Sequence, residues 1–356
     1  MARCAGSAVL VGMVLSLIFL GGCGWFVNTE AVISLDDSSG TVPFTVAFDG
    51  TMSEGAGRLI FYHWAFGDGA ESSNASGTHT YERAGTFTIS LLVRDAHGET
   101  DTATAEITVG PALWITDENL DGVYRLSLEG DLLGSFKLSA TQPRGVTLAE
   151  VDQETLLVIP CANDGNQRIL YIDPVTGAED RWEPAPAQSP RQVTYQKVGQ
   201  PQLWHVDGLS RSIYRLNRGD ARILDAFGQT YFKATSPIVQ NVAFLWVPQG
   251  LEWAETSSGA GHLLYLEGET HLLYRIEITL AYDILSTTQL SIEEEPVEIT
   301  SEIFPVADIA LYGERLFAID VDRHRIVEID PATGELVGTP IYGFPGSAPT
   351  GLEIQF

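Results

Sequence analysis

The chain is poor in cysteine, in methionine and in positive charge, and each scarcity excludes something. Its 356 residues hold three Cys and three Met against 35 Gly and 17 Pro. That balance favours tight turns over long helices. The cysteines stand at positions 4, 23 and 161, so no Cys pair has metal-ligand spacing. Only 20 Lys+Arg face 47 Asp+Glu, giving a formal charge of −27. Such an excess repels phosphate backbones and anionic lipid heads, which excludes nucleic-acid binding and polybasic docking to membranes. Wholesale disorder is excluded too, because 44% of residues are hydrophobic and 19% charged. Catalytic signatures are missing: there is no G-x-S-x-G, no H-E-x-x-H and no G-x-x-x-x-G-K-[ST]. The seven His, at 63, 79, 97, 205, 262, 271 and 324, are scattered without ligand spacing.

What is present begins with an address. Arg3 supplies a positive start, and residues 8–20 form an apolar stretch of 13 residues. As a helix this is about 20 Å long, too short for a hydrocarbon core of about 30 Å, so it reads as a signal peptide. The segment ends in Leu20-Gly21-Gly22-Cys23, which resembles the bacterial lipobox. That resemblance implies cleavage before Cys23 and acylation of its thiol and new amine, with two or three chains anchoring firmly. An ordinary secretory signal with a chance Cys is the alternative. Gly24 stands where enteric lipoproteins of the inner membrane carry Asp, so the resemblance implies an outer-membrane lipoprotein facing the periplasm or the cell surface. After cleavage Cys161 would be the one thiol left, and the mature chain could form no internal disulfide. Residues 24–29 read as a short tether.

Residues 30–109 alternate polar and apolar side chains in short runs, as at Thr45-Val46-Ala47-Phe48 and Phe87-Thr88-Ile89-Ser90-Leu91. Period-2 runs between Gly/Asp/Ser clusters predict an all-β sandwich. The motifs His63-Trp64-Ala65-Phe66-Gly67-Asp68-Gly69 and His79-Thr80-Tyr81-Glu82-Arg83-Ala84-Gly85-Thr86-Phe87 resemble the signatures of PKD domains. The resemblance implies an immunoglobulin-like sandwich that serves as a spacer or a protein- or glycan-binding unit. Its marking residues here are Trp64, Gly67, Asp68, Gly69, Tyr81 and Gly85. Gly67 and Gly69 suit a turn with φ > 0, and Asp68 can accept turn N–H groups. Trp64 and Phe66, at i and i+2, are expected to fill the core. Asp68 as a calcium ligand is the rival reading, without a dense Asp/Asn loop to support it.

Residues 110–356 carry a loose internal repeat. Apolar strands starting at 113, 156, 203, 263 and 316 each lead, ten to thirteen residues on, to a second strand. Blades of four strands run roughly 40–50 residues, so five blades of a β-propeller are recognised. A sixth is possible, hidden in residues 229–248 or 280–305 unless these carry loop insertions. The blade pattern resembles the NHL and gluconolactonase-like class of six-bladed propellers. The last residues, Pro349-Thr350-Gly351-Leu352-Glu353-Ile354, match the opening strands Pro248-Gln249-Gly250-Leu251-Glu252-Trp253 and Pro143-Arg144-Gly145-Val146-Thr147. The first repeat lacks an opening strand, so the C-terminal strand is expected to pair with it and close the ring.

Innermost strands line the axial channel, which makes Glu252 and Glu353 the candidate metal ligands. By the gluconolactonase-like resemblance, such acids hold a divalent cation, calcium being the candidate, that polarises a carbonyl or activates water. The competing reading ties these acids, with Asp117, Asp207, Glu267 and Asp320, into interstrand turns. Trp114, Trp182, Trp204, Trp246 and Trp253 either stack on a ligand or pack between blades. Cys161 reads as a small core hydrophobe, and Glu293-Glu294-Glu295 as a solvated loop. Together these readings predict a membrane-anchored envelope lipoprotein that binds a protein or glycan without catalysis and needs no cofactor. The alternative is a metal-dependent lactonase or esterase.

Overall fold

The computed structural model describes residues 28–355 except 163–165, 187, 198–200, 210–211, 228–247, 256–260, 269–270, 280–288 and 293–295. The expected signal segment with Cys23, the acidic run at 293–295 and Trp246 lie outside the described residues. The described chain is all-β. Its helical content is one 3-10 turn at Ser301–Ile303. Two compact units are present, the first ending at Pro111 and the second running from Ala112 to Gln355.

The first unit is a sandwich of two sheets. One sheet orders Ser34–Leu35, Phe44–Asp49 and Ser76–Tyr81, and the other Ser39–Thr41, Thr100–Gly110, Gly85–Asp95, Leu59–Ala65 and Glu71–Ser72. Alternation decides which side chains point in. Val46 and Phe48 from one sheet meet Trp64, Ile89, Leu91, Val93, Ile107 and Val109 from the other, all buried. Phe48 packs at 4.8 Å from Trp64 and 5.1 Å from Phe66, centroid to centroid. The motif residues shape the turn beside this core. Gly67 and Gly69 take φ of 86° and 98°. A Cβ on Gly67 would also lie 2.8 Å from the carbonyl oxygen of Thr88, so only glycine fits there.

Three hydrogen bonds hold that turn. The Asp68 carboxylate accepts the Ala70 N–H at 3.0 Å and meets His79 Nε2 at 2.7 Å. The fully buried Tyr81 donates its hydroxyl to the Phe66 carbonyl at 2.9 Å. Tyr81→Phe would leave that buried carbonyl without its partner, a loss of about 1–2 kcal/mol. For a domain of this size it should lower the sandwich's melting point by roughly 4–12 °C. Scanning calorimetry of the variant checks this, and an unchanged sandwich transition would contradict it.

Among the described residues the second unit is a ring of five sheets, four of four strands and one of five. In each sheet the strands run in order from the axis outward. Blade 1 is Pro349–Gln355, Ala112–Asp117, Gly122–Ser127 and Leu132–Lys137. Blade 2 is Thr147–Val151, Glu154–Cys161, Arg168–Ile172 and Glu179–Pro184. Blade 3 is Pro190–Gln196, Gln202–Asp207, Ser212–Leu216 and Ile223–Phe227. Blade 4 is Pro248–Glu255, Gly261–Glu267, Leu272–Thr279 and Gln289–Ile292, with Val297–Glu298 also pairing on its third strand. Blade 5 is Val306–Tyr312, Arg315–Asp320, Arg325–Ile329 and Leu336–Tyr342.

The second strand of each blade is buried almost throughout because it is covered on both faces by neighbouring blades. Ala112–Asp117 and Gln202–Asp207 are buried at every position. Outer strands instead alternate, as in Glu179–Pro184. The C-terminal strand pairs antiparallel with Ala112–Asp117, placing Leu352 opposite Ile115 and Glu353 opposite Trp114. The ring closes as its unmatched first and last repeats require.

Five blades close the ring among the described residues, and residues 229–247, one candidate place for a sixth, lie outside them. The innermost strand of blade 3 lies against that of blade 4, blade 4 against blade 5, and blade 5 against the C-terminal strand. Blade 2 completes the circle between blades 1 and 3. Within 280–305, the described residues form the outer strand of blade 4, the extra strand beside it and the 3-10 turn leading to blade 5. One repeat is also displaced. Pro143 bridges Cys161 as Pro349 faces Asp117, so the second strand of blade 2 aligns from Leu157 rather than Leu156. Cys161 therefore stands where other blades carry an acid.

Candidate functional site

The innermost strands open on a shared pattern that their pairing puts in register. It reads Pro-x-Gly-Leu-Glu in blades 1 and 4, Pro-Arg-Gly-Val-Thr in blade 2, Pro-Arg-Gln-Val-Thr in blade 3 and Val-Ala-Asp-Ile-Ala in blade 5. The fourth position is a core residue throughout: Leu352, Val146, Val193, Leu251 and Ile309 are buried. The third is glycine in three blades because neighbouring strands approach there. A Cβ on Gly351 would lie 2.6 Å from Gly145 Cα. The fifth position forms a tier of Glu353, Thr147, Thr194, Glu252 and Ala310.

Blade 5 breaks the pattern, and its acid moves two places back to Asp308. Asp308 is 1% exposed and spans three blades. It accepts its own neighbour's Ile309 N–H at 2.9 Å and the Leu352 N–H of blade 1 at 3.2 Å. The Leu251 N–H of blade 4 bonds it as well. Glu252 links blades 3 and 5, accepting the Thr194 hydroxyl at 3.3 Å and the Leu311 N–H. The Thr194 hydroxyl in turn accepts the Trp253 N–H at 2.9 Å. Glu353, partly exposed, accepts the Ile354 N–H at 3.2 Å, and from blade 2 the Thr147 hydroxyl and the Leu148 N–H. Gln192 of blade 3 donates to the Ala307 carbonyl of blade 5 at 2.9 Å. The edge of an innermost strand has no fifth strand to pair with, and these side chains take its place.

Burial pushes all three carboxyls towards the neutral form. Glu252 rises well above the usual carboxylate range, first by desolvation and then by the charges of Glu353 and Asp308. Desolvation raises Asp308 well above its ordinary value despite its backbone donors. Glu353 is pushed up to about 7 by burial. Their oxygens are already engaged by hydroxyl and amide donors. Among the described residues no group of three or more His, Cys, Asp or Glu is placed to hold a metal ion. Glu252 and Glu353 thus share one axial network, joined by Asp308. Reading the sequence missed Asp308 because its strand lacks both the proline and the glycine of the pattern.

The acids closing the second strands anchor loops. Asp117 accepts the N–H groups of Asn119, Leu120 and Ala348 at 3.0, 2.9 and 2.8 Å. Asp207 accepts those of Ser189 and Leu209 at 2.8 and 3.1 Å. Asp320 accepts from Arg323 N–H at 3.2 Å and from Arg325 Nε at 2.8 Å. Glu267 is buried. Trp114 and Trp204 are buried at matching positions and donate Nε1–H to Gln355 and Gln196 at 3.1 and 3.0 Å. Trp253 lies parallel to Trp204 at 6.3 Å, while Trp182 is exposed on an outer strand under Arg168. Cys161 is buried, and burial pushes its thiol up to about 12, so it is inert at neutral pH. In the sandwich, the Asp68 oxygens are occupied by the turn N–H and His79.

Comparison with known proteins places the first unit. Collagenase ColA of Bacillus cereus is 42% identical over 85 residues, which is 23% of this chain and 9% of that enzyme. A second collagenase ColA, of Clostridium perfringens, is 31% identical over 148 residues, 40% of this chain and 13% of the enzyme. The chain thus spans a small part of the length of the curated relatives it matches. The PKD1 domain of the Vibrio cholerae metalloprotease PrtV is 30% identical, covering 23% of this chain and 98% of that domain, with a TM-score of 0.21. The PKD domain family model matches residues 29–109, so this part of the chain is a PKD domain.

Proposed function

We propose that the chain is an envelope lipoprotein whose propeller is a non-enzymatic scaffold for binding a protein or glycan, spaced from the membrane by the PKD domain. The observation that carries this reading is the axial network. Its three carboxyls are committed to bonds that join blades, and a group that stitches backbone together is poorly placed to coordinate a cation or activate water. A rigid ring of blades presents its connecting loops at fixed positions, which suits recognition. The PKD match supports a spacer or binding module, since its relatives carry that segment as one part of much longer proteins. Outer-membrane placement rests on the lipobox-like residues 20–23 and on Gly24.

Capture of one defined envelope component by the purified full chain, lost on heat denaturation, is the expected result. Calcium-dependent hydrolysis of a lactone or ester that Glu252→Gln and Glu353→Gln abolish would overturn the scaffold reading in favour of the hydrolase. Anchoring is tested separately. Cys23→Ser should move the protein from the membrane fraction to the soluble fraction, because acyl chains supply the binding energy. Continued retention in washed membranes would count against the lipobox.

A further inference from the structure

At the entrance formed by the first residues of the innermost strands, the second position of the shared pattern is Thr350, Arg144, Arg191, Gln249 and Ala307 around the ring. Three of the four polar side chains have a local partner. Thr350 donates its hydroxyl to the Pro143 carbonyl, and Gln249 accepts the Val306 N–H. Arg144 forms an ion pair with Glu118, between side chains that are 21% and 29% exposed. The Arg191 side chain makes no hydrogen bond or ion pair among the described residues.

Its surroundings make that unusual. The Arg191 side chain is half-buried against Gly208, where a Cβ would come within 2.9 Å of Nε. The Gly145 Cβ position lies 3.1 Å from the Arg191 carbonyl oxygen, so the strands bearing Arg144 and Arg191 are in contact. Burial, and then the neighbouring Arg144 charge, push the Arg191 pKa down. The two acids near it are committed elsewhere, Glu118 to Arg144 and Asp207 to the N–H groups of Ser189 and Leu209. The charges of Glu118 and Asp207 act on Arg191 from nearby, but neither bonds its donors, and the planar fork of a partly desolvated guanidinium fits two oxygens of one group.

We propose that this entrance is a binding site for a single oxyanion, the carboxylate or phosphate of a larger ligand, held by the guanidinium of Arg191 with Arg144 beside it. The site names a ligand class for the binding reading above and rests on that reading. An acidic sugar and a phosphorylated envelope component share the chemistry.

Isothermal titration of the full chain in detergent with sodium phosphate, sodium glucuronate and neutral glucose tests the site. At least one anion should bind, glucose should not, and the tighter anion identifies the source. Arg191→Gln removes no bond within the fold and should weaken anion binding by roughly tenfold or more. Glu118→Gln releases the Arg144 fork and should tighten it. Failure of both anions to bind the parent chain, or equal binding by Arg191→Gln, would overturn the site. Envelope capture could still succeed in that case, so the scaffold reading would fail or stand on its own measurement.

Discussion

Removal of residues 351–356 is expected to unfold the propeller while leaving the PKD sandwich folded. The strand Pro349–Gln355 is the innermost strand of blade 1, although 232 residues or more of sequence separate it from its partner Ala112–Asp117 in pairs such as Glu353 with Trp114 and Pro349 with Asp117. Deletion strips the ladder from that partner and removes Leu352 and Ile354 from a cluster with Leu113, Ile115, Ala310 and Phe317. It also takes the Leu352 N–H from the buried Asp308 and the Gln355 acceptor from Trp114. Two buried aliphatic side chains contribute roughly 3–6 kcal/mol, and each orphaned buried polar group costs about 1–3 kcal/mol. The total approaches the whole stability of a typical domain, about 5–15 kcal/mol. Calorimetry of the truncated chain should show one transition lost. The single change Leu352→Ala, expected to cost about 2–5 kcal/mol, grades the same effect without shortening the chain. A truncated propeller that melts at the parent temperature would disprove closure by this strand.

Raising the pH from 5 to 8 should destabilise the propeller, contrary to the usual behaviour of carboxylates that are paired in the folded state. Glu353 is pushed up to about 7 in the folded chain, against an ordinary value of 4.5. Between these values the folded state binds a proton that the unfolded state has released. Its stabilising contribution is therefore complete below about pH 4.5 and is lost as the pH climbs through about 7. Glu252 and Asp308, also raised, act in the same direction. Carboxyls held low, such as Asp173 and Glu328, contribute the opposite slope, but only at acidities below their ordinary values. The propeller transition should move down by several degrees over the interval, on the order of 5–10 °C for a unit of this size. Glu353→Gln keeps a neutral side chain at every pH and should flatten much of the slope. A melting point that rises towards pH 8, or a slope untouched by Glu353→Gln, would refute the proton held at this position.

Local regularities were legible before any coordinates. Alternation at Phe87-Thr88-Ile89-Ser90-Leu91 marks a strand because a half-buried sheet demands period 2. The turn at Gly67-Asp68-Gly69 declares itself through residues that only a positive φ and an Asx acceptor call for. The blades appear because each must repeat the same two central strands, and the orphaned strand at the end because a sheet edge must be covered. In sequence the Cys161 blade reads one residue out of step for an equally local reason. Leu156 and Leu157 are both apolar, and only the bridge between Pro143 and Cys161 distinguishes them.

Composition and local pattern alone determined the all-β class, the presence of blades and the role of the last strand, and motif resemblance pointed to the PKD module, since each is written in residues a few places apart. Tertiary structure decided that five described blades close the ring, that Asp308 joins Glu252 and Glu353, and that the Arg191 side chain is left without a partner among the described residues. Those outcomes depend on neighbours distant in sequence, 44 residues between Asp308 and Leu352, 58 between Thr194 and Glu252, and 115 between Gln192 and Ala307. A carboxylate looks the same in a string of letters whether water or three backbone N–H groups surround it, and only packing of the blades makes it a clasp.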